Sequence, residues 1–208
     1  MLKVCKFGGT SMATKKSLEN VKDILNAESA RKFAVVSAPG KRFSDDIKVT
    51  DLLYKAFDEK DSGGDSFAKI RARFVAMASD LGLSVDINAM LDEVEQGIKE
   101  SVTADYSASR GEYLSAKLFA EYIGREFIDA SEIMKFNEDG SFNYELSNDI
   151  IKKRLENSPG AIIGGFYGAM PDGTIKTFSR GGSDVTGSII ARGVSADIYE
   201  NWTDVNGF

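Results

Sequence analysis

Two hydrophobic rhythms alternate along this chain. Short apolar runs at residues 2–7, 33–38, 127–130 and 161–166, and another starting at 196, read as strands, the first with lysines at 3 and 6. Between them, apolar residues return at helical spacing. Leu18, Val21 and Leu25 predict a helix from the Gly8–Ser11 turn to about residue 29, and Val49 to Phe57 predicts another. Phe67, Ile70, Phe74 and Met77 mark a third helix, and residues 86–100 a fourth. Ser109 reads as the N-cap of a helix to Ile123, with Glu112 at the capping-box position. Residues 149–156 and 182–193 complete the helical set, and Pro171-Asp172-Gly173 signals a turn before Ile175–Phe178. The run 33–38 is almost continuously apolar, as a parallel strand covered on both faces must be. The pattern predicts an α/β protein: a three-layer αβα sandwich around a mostly parallel sheet. No repeat, low-complexity tract or composition break marks a second domain.

Composition narrows the chemistry. With 208 residues and 42% hydrophobic content the chain can bury a substantial core. Histidine is absent, which excludes histidine-dependent hydrolases and most zinc enzymes and leaves acid–base work to Asp, Glu or Lys. Cys5 is the only cysteine, so there is no internal disulfide, and it reads as a small core residue. A net charge of −6 argues against nucleic acid as partner. No window is apolar enough for a membrane span and no secretory leader is evident, so a cytoplasmic location is expected.

Positive charge for an anionic ligand must therefore be local, and two glycine-rich segments offer it. Lys6-Phe7-Gly8-Gly9-Thr10-Ser11 closes the first strand, and Ser179-Arg180-Gly181-Gly182-Ser183-Asp184 opens a late helix. Both read as strand, turn and exposed N–H groups at a helix start, the arrangement that binds phosphate. Lys6 could neutralise a transferred phosphoryl group, Arg180 could clamp a carboxylate, and Asp184 could orient the reacting groups. Each has a plainer reading: a strand-end lysine beside a turn needing positive φ, and an aspartate capping a helix. Glu112 and Thr50 likewise fit capping, Ser37 sits at the carboxyl end of a strand, and Gly164-Gly165 offers a close backbone approach. Arg71, Arg73 and the lysines at 15, 16, 152 and 153 read as solvated helix faces. The spacing matches neither a Walker A loop nor the dinucleotide fingerprint.

Taken together, these segments resemble the aspartokinase branch of the amino acid kinase family. K-F-G-G-T-S at 6–11, V-S-A at 36–38, T-D-L-L at 50–53, S-R-G-E-Y-L-S at 109–115, S-R-G-G-S-D at 179–184 and W-T-D-V-N-G at 202–207 occur in the family's order. Ser179 and Asn206 depart from the usual glycine and aspartate. The resemblance implies the carbamate kinase-like fold, incomplete at its C-terminus, and transfer of the ATP γ-phosphoryl group to the side-chain carboxylate of L-aspartate. Lys6 and Asp184 would be catalytic. Ser37, Thr50, Glu112, Arg180 and Ser183 would hold aspartate, with Glu112 on its ammonium and Arg180 on its α-carboxylate. Gly8, Gly9, Ser11, Thr203 and Asp204 would join Lys6 in binding ATP, with Mg²⁺ carried on the phosphates and no protein metal site.

The resemblance also implies that residues 1–208 are the substrate-binding part of the catalytic domain. The rest of the ATP-binding part and the ACT regulatory domains, through which the parent would form a homo-oligomer, are expected to lie beyond it. A final strand without a crossover helix gives the same expectation of a partial domain. Two competitors remain: a kinase for glutamate, acetylglutamate or carbamate, and a non-catalytic piece that at most binds aspartate.

Overall fold

A computed structural model describes residues 1–179 and 181–203. Among the described residues the sheet has five parallel strands, β1 (Lys3–Phe7), β2 (Arg31–Val36), β3 (Glu126–Ile128), β4 (Ala161–Gly164) and β7 (Ile198–Trp202). Their order is β3-β4-β2-β1-β7. A separate antiparallel pair, β5 (Tyr167–Ala169) and β6 (Ile175–Thr177), closes around the Pro171–Gly173 turn. The helices are α1 (Lys15–Ala27), α2 (Val49–Asp58), α3 (Ser66–Asp80), α4 (Ile87–Glu100) and α5 (Ala104–Ile123), then α6 (Ala130–Ile133), α7 (Tyr144–Leu155) and α8 (Gly182–Gly193).

Strand period two divides the core. Cys5, Phe7, Ala34, Val36 and Ile162 point to one face, where they pack with Leu18 and Leu25 of α1, Leu53 of α2 and Leu114 and Phe119 of α5. Val4, Phe33, Val35, Ala161 and Ile163 point to the other, against Ile133 of α6, Ile151 of α7 and Ile190 of α8. Helices therefore cover both faces, and α3 and α4 pack on α2 and α5. Cys5 is buried and free, as expected. The edge strand β7 is held by an ion-pair cluster: Glu200 lies 2.9 Å from Lys3 Nζ and 2.8 Å from Arg31 Nε. Burial opposes ionisation of Glu200, but hydrogen bonds from Arg31, Lys3 and Trp202 outweigh it and hold its carboxyl at about 2.

Four expectations need correcting. The Gly8–Ser11 turn leads into a short 3-10 helix at Thr10–Met12, and α1 begins only at Lys15, after a capping box between Thr14 and Ser17. Helix α5 begins at Ala104, so Ser109 lies inside it and donates its hydroxyl back to the Tyr106 carbonyl. Small residues explain that miss: Ser107, Ala108, Ser109 and Gly111 are buried, so the helix shows no apolar stripe there. A Cβ on Gly111 would stand 2.7 Å from Ala38 Cβ, which is how closely α5 approaches the loop after β2. Helix α7 starts at Tyr144, capped by Asn143, and the four-residue α6 has no hydrophobic period to reveal it. Arg73 is buried, not solvated. Arg71 pairs with Asp92 and Glu95 of α4.

Close backbone packing sets where α8 begins relative to β4. A Cβ at Gly165 would lie 2.7 Å from Ser183 Cβ and Oγ and 2.8 Å from its Cα. Gly165→Ala is expected to destabilise the protein by about 1–3 kcal/mol in urea melts, because main chain must move to admit the methyl. A loss under roughly 0.5 kcal/mol would show that α8 yields freely.

Candidate active site

The carboxyl ends of the strands open into a cleft, the place where open α/β sheets bind ligands. Two cavities meet there, of about 420 and 340 Å³, with Ser37 lining both. Lys6, Tyr54, Phe166, Phe178, Ser183 and Asp184 line the larger. Gly9, Gly40, Lys41, Lys48, Thr50 and Glu112 line the smaller.

Lys6 sits on the α8 face of β1, in step with Val4. It is 8% exposed, and its Nζ lies 2.8 Å from Asp184 Oδ1. Asp184 is in the first turn of α8, and Asn201 of β7 donates to the same oxygen at 3.2 Å. Gly181 caps α8 in the left-handed region at φ 76°, and no side chain among the described residues makes a capping hydrogen bond there. Lys6 and the positive end of the α8 dipole thus converge on one cavity in an acidic protein. Phe166, at φ 79°, is held in that strained region by donating its N–H to Thr186 Oγ1 at 3.1 Å and accepting from the Phe178 N–H at 2.8 Å.

Gly8 and Gly9 act by leaving space, not by adopting positive φ. A Cβ on Gly8 would meet only Lys6 Nζ, at 3.8 Å, so the main chain there is open beside the ammonium. A Cβ on Gly9 would press to 2.9 Å on the Ala38 carbonyl.

Glu112 is the other unusual group. It lies in the middle of α5, 5% exposed, and its Oε2 is buried without a hydrogen-bond partner among the described residues. Burial pushes its carboxyl up to about 8, and the Ala38 and Glu112 backbone and the Arg110 guanidinium offset this only in part. A capping role is thereby excluded. A buried acid facing a cavity with an unused oxygen suits a ligand cation, whose arrival would favour the carboxylate.

The structure therefore brings Lys6, Ser183 and Asp184 together around one cavity and Thr50, Glu112 and Gly9 around its neighbour, joined at Ser37. Ser11 lies in the 3-10 helix and Thr203 is exposed after β7; neither lines the two cavities. Arg180 and Asp204 lie outside the described residues. Sequence reasoning missed Tyr54, Phe166, Phe178 and Asn201. Only the Gly164-Gly165 pair before Phe166 hinted at that wall.

Between the ordinary carboxylate range and about 8, folded Glu112 retains a proton that the unfolded chain has released. Stability therefore falls as pH rises through that window, by up to about 1.4 kcal/mol per pH unit from this group. Glu112→Gln, which keeps the shape of the neutral acid, should gain stability relative to the parent between about pH 5 and about pH 8. Urea melts across that range check this; parallel pH profiles for the two proteins would refute it.

Residues 1–208 match the amino acid kinase family. Aspartokinase 3 of Bacillus subtilis is 36% identical over 99% of this chain and 49% of its own length. The aspartokinase of Chlamydia muridarum is 30% identical over 98% of this chain and 48% of its own. The crystal structure of Clostridium acetobutylicum aspartate kinase has a TM-score of 0.96 at 45% identity, covering 100% of this chain and 48% of that one. Escherichia coli aspartokinase III, solved in complex with aspartate and ADP, shares the fold with a TM-score of 0.84 at 24% identity. This chain spans about half the length of these relatives. With the match extending through every strand and both walls of the cleft, the chain belongs to the amino acid kinase family.

Proposed function

We propose that these residues form the substrate-binding part of an aspartate kinase, which transfers the ATP γ-phosphoryl group to the side-chain carboxylate of L-aspartate. The observation that carries this is the pairing of Lys6 with Asp184 at the N-terminus of α8, one serine away from the buried acid Glu112. A phosphate and an amino acid ammonium need those two environments side by side. The names of the 36% and 45% identical relatives support aspartate as the acceptor.

In this reading the ammonium of aspartate meets Glu112, and the hydroxyls of Ser37 and Thr50 line its pocket. Arg180 takes the α-carboxylate, and Ser183, at the start of α8, adds a hydroxyl from the wall of the larger cavity. The side-chain carboxylate is then directed at the phosphate cavity. A carboxylate oxygen forms the new bond to the γ-phosphorus as the bond to the ADP oxygen breaks, giving 4-phospho-L-aspartate and ADP. The nucleophile is already ionised at neutral pH, so no strong base is required, which suits a chain without histidine. Lys6, the open main chain of Gly8 in the Gly8-Gly9 turn, and the α8 dipole stabilise charge on the transferred group. Asp184 holds Lys6 in line, and Ser11, Thr203 and Asp204 complete the nucleotide side.

Mg²⁺ would come with ATP. Among the described residues no three acidic, cysteine or histidine side chains converge, so phosphate and water oxygens would supply most of its ligands. The ion would neutralise charge on the phosphates. The same reading makes the whole protein a cytoplasmic enzyme of amino acid biosynthesis, homo-oligomeric through ACT domains outside these residues.

A coupled ADP-release assay on the whole protein, with L-aspartate against glutamate, N-acetylglutamate and carbamate, tests the proposal. Turnover should be confined to aspartate, and Lys6→Met should lower it by roughly 10²–10³-fold without changing the circular dichroism spectrum. Turnover with another acceptor alone would reassign the substrate. Because the ammonium needs an ionised Glu112, aspartate affinity should rise with pH to about 8 and then level, with proton release on binding below that point. Titration calorimetry in buffers of different ionisation enthalpy reads this directly. An affinity independent of pH would remove Glu112 from the ammonium site.

A further inference from the structure

The amino acid side of the cleft has one wall with no regular structure of its own, the segment 39–48 between β2 and α2. Its shape is imposed from behind, by a helix that lines neither cavity. Arg73 of α3 is 6% exposed. Its Nη2 donates to the Gly40 carbonyl, its Nη1 donates to the Ile47 carbonyl at 3.0 Å, and Nη1 lies 3.5 Å from Asp46 Oδ2. Asp46 in turn accepts from Arg42 Nε at 2.7 Å and Nη2 at 2.9 Å, which closes the segment on itself.

The grip reaches the phosphate turn through Gly40. While Arg73 holds its carbonyl, its N–H donates to the Gly9 carbonyl at 2.7 Å. The two backbones are in contact: a Cβ on Gly40 would lie 2.7 Å from the Gly9 carbonyl carbon and 2.9 Å from the Thr10 nitrogen. The same segment brings Lys41 and Lys48 to the cavity that holds Glu112, where Thr50 of α2 joins them. Desolvating a guanidinium is expensive, and here it is offset only in part: Nε is buried without a partner among the described residues, while the acceptors of Nη1 and Nη2 all lie in this one segment. Arg71, two residues away on α3, pairs instead with Asp92 and Glu95 and touches none of it.

We propose that Arg73 is a positioning residue for phosphoryl transfer, clamping segment 40–47 so that Gly40 braces Gly9 and the amino acid wall together. The proposal rests on the aspartate kinase reading above. Releasing the clamp leaves the chemical groups in place but lets the phosphate turn and the opposing wall drift apart, and small misplacements of this kind are costly in rate.

The test compares Arg73→Ala with Arg71→Ala in the whole protein, by hydrogen exchange and by kinetics. In Arg73→Ala, the amides of Gly40 and Met12, which donate to the Gly9 carbonyl, should exchange at least tenfold faster, while those of α4 do not. The kcat should fall roughly 10- to 100-fold, and added ethylguanidinium should restore part of it. Arg71→Ala, although it loses two ion pairs, should keep kcat within about twofold. Unchanged exchange at Gly40 overturns the clamp. Faster exchange with kcat unchanged, or a kcat loss that Arg71→Ala matches and ethylguanidinium leaves unrescued, overturns the positioning role. Should Arg73→Ala fail to fold, Arg73→Lys takes its place under the same criteria, with guanidinium rescue omitted. Wild-type protein that does not turn over aspartate counts against the functional reading, and the exchange measurement then decides the clamp on its own.

Discussion

Every strand of a parallel sheet buried on both faces must send alternate side chains into two separate cores, and here that constraint places the chemistry. In β1, Val4 and Lys6 share the face covered by α8, while Cys5 and Phe7 serve the face covered by α1 and α5. A lysine at the last position of its face emerges where the sheet ends, 2.8 Å from the aspartate that opens α8. Because all five strands run the same way, Phe7, Val36, Gly164 and Trp202 all end at the same edge. The residues that follow them face one cleft. A one-residue slip of β1 would bury Phe7 against α8 and take Lys6 away from Asp184 altogether.

The two halves of the cleft use opposite electrostatic devices. Lys6 keeps its charge partner in the first turn of α8, where the helix dipole and the ammonium reinforce each other toward an anion. Glu112 has no cation within ion-pairing distance among the described residues, and burial holds it as the neutral acid up to about 8. In the aspartate kinase reading the first environment suits phosphate as it stands. The second suits a ligand that brings a positive charge, because a neutral or anionic group cannot repay ionisation of the buried acid.

Backbone proximity ties these devices together. Gly9 against Ala38 and Gly40, Gly111 against Ala38, and Gly165 against Ser183 are all separations that a methyl group would violate. Parts of the cleft are thus held by main chain packed on main chain. Arg73, from outside, adds a side-chain tie to the irregular wall after β2, beside the Gly40–Gly9 hydrogen bond.

Much of this was legible from the sequence because it is local. The continuous apolar strands, the periodic faces of α1 to α4, the Pro171–Gly173 turn and the start of α8 follow from side-chain period and turn chemistry within a few residues. The order of the glycine-rich segments carried the resemblance to the family. What depended on tertiary contact was not legible. Ser109 looks like a cap because serine usually is one, yet α5 begins five residues earlier, and its small residues serve a close approach to the loop after β2. Glu112 and Arg73 carry the same charges in sequence as any solvated helix face. Burial alone turned one into an acid that titrates near 8 and the other into a clamp, because desolvation depends on what the whole fold packs around a group and not on its neighbours along the chain.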